Sequence, residues 1–197
     1  MMAEIIFSDA DIVVCIKPIG LDSEHDMPEY LSKVLEGSFL PVHRLDKNVS
    51  GVMIYARTKA AAALLSKAIQ NGEMIKEYVA IVHGIVPEEG TWVDLLWKDA
   101  SKNKVFVVKR MRGGVKEAKL SYYKIWEKDG TSAVRIRLYT GRSHQIRVQF
   151  SSRGYPLIGD RKYGSKSDEV NPKLYSCSIS FPYQGEIRTF VSMPEWV

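Results

Sequence analysis

Two cysteines in 197 residues, Cys15 and Cys177, lie far apart and without the close Cys/His spacing of a metal site. A disulfide framework and a zinc centre are therefore both unsupported, and buried free thiols are the simpler reading. No apolar run approaches the roughly 20 residues that a membrane helix needs, and the N-terminal MMAEIIFSDADIVVCIK has no basic stretch ahead of an apolar core. A cytoplasmic protein with no membrane partner is expected. Repeats, linkers and low-complexity stretches are missing too, so the chain is expected to be one domain over residues 1–197, acting as a monomer. What is present is an ordinary globular composition, 45% hydrophobic and 26% charged, enough for one sizeable core.

The charge is uneven. A net +5 is modest, but Lys98 to Lys119 holds eight basic residues against Asp99 and Glu117, a local surplus of +6 that leaves the rest near −1. Val105 to Val108 reads as a strand and Arg112-Gly113-Gly114 as a turn, which would raise Lys109, Arg110 and Arg112 on a hairpin. A basic hairpin on a nearly neutral body suits a polyanion. A lysine-rich edge strand protected against aggregation reads equally well.

The spacing of apolar residues predicts an α+β chain with a mixed, mainly antiparallel sheet and flanking helices. Glu4–Ser8 and Ile12–Lys17 form a hairpin about Asp9-Ala10-Asp11, and Val52–Ala56 is a buried-looking strand entered by Ser50-Gly51. Asp26, with Glu29 three residues on, has the pattern of a capping box for a short helix. Thr58 caps a second helix, whose Ala61, Leu64, Leu65, Ala68 and Ile69 form a core stripe ending at Asn71-Gly72. Lys76–Val82 is a strand. Ala118–Trp126 and Ala133–Leu138 pair about Asp129-Gly130, Ser143 caps a helix through Ile146 and Phe150, and Ser178–Phe181 pairs with Glu186–Val191 about Gln184-Gly185.

Within this frame the loop HRLD at His43–Asp46 places polar residues at a strand's edge, where chemistry is often held. Arg44 before Asp46 and Lys47 after it favour the ionised carboxylate. On the residues alone, Arg44 and Asp46 also read as a surface salt bridge ordering a loop. Tyr78 reads as a buried structural tyrosine, and His144 as a loop hydrogen-bonder. Arg142, His144 and Arg147 gather at a helix start suited to holding an anion or bracing a carboxylate.

The longer stretch PVHRLDKNVSGVMIYART resembles the HRLDxxTSGLLLxAKT signature of the RluA-type RNA pseudouridine synthases. KEYVAIVHG at Lys76–Gly84 and TGRSHQIRVQFSSRGYPLIGDRKYG at Thr140–Gly164 are similar to two further family blocks, in the family's order, and Lys17-Pro18-Ile19-Gly20 is similar to its KPxG. Leu21 to Asp26 departs from the family's small, proline-containing loop near the pocket. Val49 stands for its threonine, and Gln149-Phe150 for the commoner His-Leu. The resemblance implies a cofactor-free isomerase that detaches uracil from C1′ of a uridine in ribosomal or transfer RNA, turns it, and rejoins it through C5. It also implies a catalytic Asp46, an active-site Tyr78, and Arg147 as the cation paired with the aspartate. Arg44, Arg142 and His144, with Lys109, Arg110 and Arg112, are the expected RNA contacts. Many relatives carry a small RNA-binding domain ahead of the catalytic one, and none is expected in these 197 residues.

That chemistry asks for one ionised, secluded carboxylate at the sugar, either attacking C1′ or taking the C2′ proton. It also asks for a ring to stack on the base. A non-catalytic RNA-binding or RNA-folding module of the same fold is the alternative. A carboxylate glycosidase would need a second, closely placed acid, and no such acid accompanies Asp46 in the matched blocks.

Overall fold

A computed structural model of the chain describes residues 3–197. The elements in chain order are β1 (Glu4–Ser8), β2 (Ile12–Lys17), α1 (Asp26–Val34), β3 (Leu40–Pro41), β4 (Ser50–Ala56), α2 (Lys59–Gln70), β5 (Ile75–His83) and β6 (Glu89–Asp99). They continue with β7 (Lys104–Val108), β8 (Val115–Lys128), β9 (Thr131–Leu138), α3 (Gln145–Ser151), a 3-10 turn (Arg161–Tyr163), β10 (Leu174–Tyr183) and β11 (Glu186–Val191). The chain forms two compact units, one from the residues up to Lys76 together with Tyr175–Trp196, the other from Glu77–Leu174. The fold class is α+β, with pairing that is mixed and mainly antiparallel.

In the first unit the strand order is β1-β2-β4-β10, with β11 on β10 and β3 on β4. The β1–β2 hairpin closes on the Asp9 carboxylate, which accepts from the amides of Asp11 and Ile12 at 2.8 and 2.9 Å. This side-chain mimic of a turn needs only local sequence. β4 meets β10 in parallel, Ser50 opposite Tyr175 and Gly51 opposite Ser176. Gly51 sits at φ +130, and a Cβ there would collide with the Ser176 backbone. Glycine is thus required for the strands to close. Ile12, Val14, Val52, Ile54 and Phe181 pack with Ala61 and Leu65 of α2 as the core. Each large side chain buried in this way contributes about 1.5–3 kcal/mol.

Thr58 caps α2 as expected, its hydroxyl accepting from the Ala61 amide at 3.1 Å. Leu64 does not join the core stripe; it is 70% exposed, whereas Ala61, Leu65 and Ala68 are buried and Ile69 packs against the core. The start of α1 also differs from expectation. His25 occupies the cap without a side-chain bond, Asp26 is the first helical residue, and its carboxylate accepts from the Asp22 amide at 2.8 Å. Asp22 in turn accepts from the Glu24 and His25 amides, so a tight turn one step upstream does the work assigned to a capping box.

In the second unit the order is β5-β9-β8-β6-β7. The β8–β9 hairpin turns at Asp129 and Gly130, both with φ near +50 to +70, as a right-twisted two-residue hairpin requires. β6, to which the sequence reading assigns no element, is the strand both β7 and β8 pair with. The hairpin at the basic segment is therefore β6–β7. Residues 109–114, expected as a hairpin tip, cross the end of β6 to link β7 with β8. Phe150 of α3 packs against Trp92 of β6 and Tyr122 of β8, with ring centres 4.6 and 5.4 Å away.

Candidate active site

The loop between β3 and β4 carries Asp46, half-buried between the buried anchors Leu45 and Val49. Its two flanking peptide groups are both held. The Ser23 hydroxyl, 1% exposed, accepts from the Leu45 amide at 3.2 Å and donates to the Leu45 carbonyl at 3.0 Å. On the other side the Asp46 carbonyl accepts from the Val49 amide at 3.0 Å.

The neighbouring charges do not follow the sequence expectation. Arg44 reaches Glu24 at 3.2 Å and Lys47 reaches Asp26 at 3.7 Å, both largely exposed pairs of small energetic worth. The buried cation behind the loop is Lys17, which sequence reasoning missed. Its ammonium donates to the carbonyls of Pro18 and Leu21 at 2.9 Å each and to Lys47 at 3.4 Å. Burial pulls its pKa down to about 8, against the opposing pull of Asp22, Asp46 and Asp26. The KPxG pattern was the available signal, and nothing local said that its lysine would turn inward.

His43 is bound into the first unit rather than offered to solvent. Its Nε2 accepts from the Ile54 amide at 3.2 Å, and its Nδ1 finds no hydrogen-bond partner among the described residues. Burial, with Lys76 nearby, pushes its pKa down to about 3, so the ring is neutral.

Within the second unit, Tyr78 lies on β5 with 6% exposure. Alternation along the strand sets it on the opposite face from Glu77, which takes a two-pronged bond from Arg135. Arg147 on α3 forks onto Asp160, Nε to Oδ2 at 2.6 Å and Nη2 to Oδ1 at 2.8 Å, with both side chains 5% exposed or less. The bracing of a carboxylate foreseen for this arginine thus includes Asp160, a residue the sequence reading saw only as part of a structural turn. The Arg147 guanidinium also lies 5.1 Å over the Tyr163 ring. Tyr163 accepts from the Val105 amide and shares a 2.8 Å hydrogen bond with Nδ1 of His144.

The cap of α3 is His144 at φ 50, not Ser143. Gln145 organises the turn, its carbonyl accepting from Thr140 and the Arg142 amide and its amide donating to the Lys119 carbonyl. The site therefore brings His144, Arg147, Tyr163 and Asp160 together. Arg142 points away, exposed, onto the Glu117 carbonyl at 2.8 Å. Lys109, Arg110 and Arg112 are exposed in the 109–114 connection, with Arg112 stacked 5.2 Å over Trp97. Among the described residues no cluster of His, Cys, Asp or Glu could hold a metal ion, and no helix is long and apolar enough to cross a membrane.

The fold is that of the pseudouridylate synthases. It superposes on the human RNA pseudouridylate synthase domain containing 1 with a TM-score of 0.84 at 21% identity, over 99% of this chain and 84% of that one. The RNA pseudouridylate synthase family matches residues 11–152, and the chain belongs to that family, in its RluA-type branch. An uncharacterized RNA pseudouridine synthase of Aquifex aeolicus is 35% identical over 91% of this chain. The dual-specificity RNA pseudouridine synthase RluA of Haemophilus influenzae is 31% identical over 95% of this chain and 91% of its own length. The chain spans 63% of the Aquifex protein and 38% of the Haemophilus ribosomal large subunit pseudouridine synthase D.

Proposed function

We propose that this chain isomerises uridine to pseudouridine in a structured RNA, with Asp46 as the essential carboxylate. The observation that carries the reading is that Asp46 in the β3–β4 loop, Tyr78 on β5 and Arg147 on α3 all fall inside the segment matching the family. The N1–C1′ bond breaks, a C5–C1′ bond forms, C5 gives up its proton and N1 takes one, so no redox partner is required. Asp46 meets the sugar, at C1′ as nucleophile or at the C2′ proton as base. Tyr78 stacks on the extruded uracil and relays the C5 proton, while Arg147 supplies the counter-charge to the aspartate.

Extruding the uridine costs a few kcal/mol, least in a loop. Arg44, Arg142, His144 and the basic 109–114 connection are assigned to the RNA backbone that offsets it. A relative named as a ribosomal large subunit synthase and another named as a dual-specificity RNA synthase support ribosomal or transfer RNA as the substrate we assign, and with it a cytoplasmic activity. The test is pseudouridine mapping in total RNA treated with the wild type and with Asp46→Asn. New pseudouridines made by the wild type alone support the reading; turnover by Asp46→Asn overturns the assignment of Asp46.

A further inference from the structure

We infer that Ser23 is a positioning residue that sets the orientation of Asp46, so that the loop where this chain departs from its family belongs to the catalytic machinery; this rests on the proposed role of Asp46. The direction of a side chain is set by the two peptide planes that meet at its Cα. The plane ahead of Asp46 contains the Leu45 carbonyl, which the Ser23 hydroxyl grips at 3.0 Å while accepting from the amide of the same leucine at 3.2 Å. The plane behind it is tied by the Val49 amide, and the next carbonyl, that of Lys47, accepts from the Gly20 amide at 2.8 Å and from Lys17.

Only one of these ties comes from a side chain that bonds Leu45, and that side chain is buried where water cannot replace it. Removing the hydroxyl leaves an amide and a carbonyl of Leu45 without partners beside the reacting group. Ser23 is itself anchored, since its carbonyl accepts from the Tyr55 hydroxyl at 2.9 Å and Tyr55 is a fully buried residue of β4. A chain of hydrogen bonds thus runs from the strand core through Tyr55 and Ser23 to the backbone of Asp46. Catalytic groups need to be held within about 0.5 Å, and a misplacement of about 1 Å costs on the order of 100-fold in rate.

The experiment measures single-turnover rate, RNA affinity and residue-resolved amide exchange for the wild type, Ser23→Ala, Ser23→Thr and Tyr55→Phe. Ser23→Ala is expected to lose roughly 10- to 100-fold in rate at saturating RNA with unchanged affinity, and Ser23→Thr, which keeps the hydroxyl, to recover most of it. Tyr55→Phe should lose rate in the same sense, and combined with Ser23→Ala should add little, because both break one chain. The Leu45 amide should exchange slowly in the wild type and quickly in Ser23→Ala. A Ser23→Ala rate within twofold of wild type in a folded protein overturns the inference, and so does a rate loss matched by an equal loss of affinity. If Ser23→Ala does not fold, an unchanged rate in Tyr55→Phe overturns it. A wild type that makes no pseudouridine but protects Leu45 through Ser23 supports the clamp while refuting the assigned activity.

Discussion

Replacing Asp160 with asparagine tests the buried fork on Arg147 most sharply. Asparagine keeps the shape and one acceptor, but removes the charge of the 1% exposed carboxylate that forks onto the guanidinium of a 5% exposed arginine. Removing one partner of a buried, hydrogen-bonded pair costs about 3–5 kcal/mol, and the retained acceptor places Asp160→Asn at the low end, about 3 kcal/mol. The backbone bonds of Asp160 to Leu157, Tyr163 and Ser165 do not involve its side chain and should survive. For a chain of this length that loss corresponds to a fall in Tm of roughly 6–12 °C. Trp92, Trp97 and Trp126 all lie in the unit containing the pair, so urea unfolding followed by tryptophan fluorescence reports on it directly. A lower midpoint at unchanged slope is expected. A shift worth less than about 1 kcal/mol would refute the reasoning, because it would mean that the fork is screened as a surface pair is.

Three other perturbations address the rest of the site. Tyr78→Phe should retain RNA binding and be less impaired on 5-fluorouridine RNA than on uridine RNA, whereas Tyr78→Leu, lacking a stacking face worth about 1–3 kcal/mol, should be crippled on both; near-normal rates for Tyr78→Leu would remove it from the base. Neutralising Lys109, Arg110 and Arg112 together should weaken RNA binding and flatten its salt dependence by about one unit of log-log slope per lost phosphate contact, and an unchanged slope would make the 109–114 connection a solvated link. His43 titrates near 3 when folded and near 6.5 when unfolded, so the native state binds fewer protons between those values, and the stability it contributes is present above pH 6.5 and lost as pH falls toward 3. Unfolding free energies from urea titrations should therefore drop between pH 6.5 and 5 by at most about 1.4 kcal/mol per unit in the wild type and less steeply in His43→Gln; parallel curves would show that the ring is not shielded.

What the sequence made legible was local. The β1–β2 turn at Asp9, the Thr58 cap and the Asp129-Gly130 hairpin each depend on residues within a few positions, and each formed as read. β6 escaped because Val93, Leu95 and Trp97 put apolar side chains on the face away from the core as well, which blurs the period-two pattern. The parallel contact of β4 with β10 joins residues more than 120 positions apart, and no local pattern announces it. The same holds at the site. Asp46, Tyr78 and Arg147 stood out through family motifs, but Lys17, Ser23 and Asp160 act through partners 13 to 30 residues away. Arg44 and Lys47 looked like companions of Asp46 because they neighbour it in sequence, yet they reach the carboxylates of Glu24 and Asp26 instead.

The clasp on the Asp46 loop grips main-chain atoms: the amide and carbonyl of Leu45 and the carbonyl of Lys47. Its hold is therefore indifferent to which side chains sit at the exposed positions of the loop. Arg44 and Lys47 can be randomised without undoing the scaffold, provided that Lys17, Ser23 and Tyr55 are left in place. A library at those positions would vary the surface around the carboxylate while leaving the main-chain clasp in place, which on the proposed activity makes this loop a starting point for redirecting the chain to a chosen uridine.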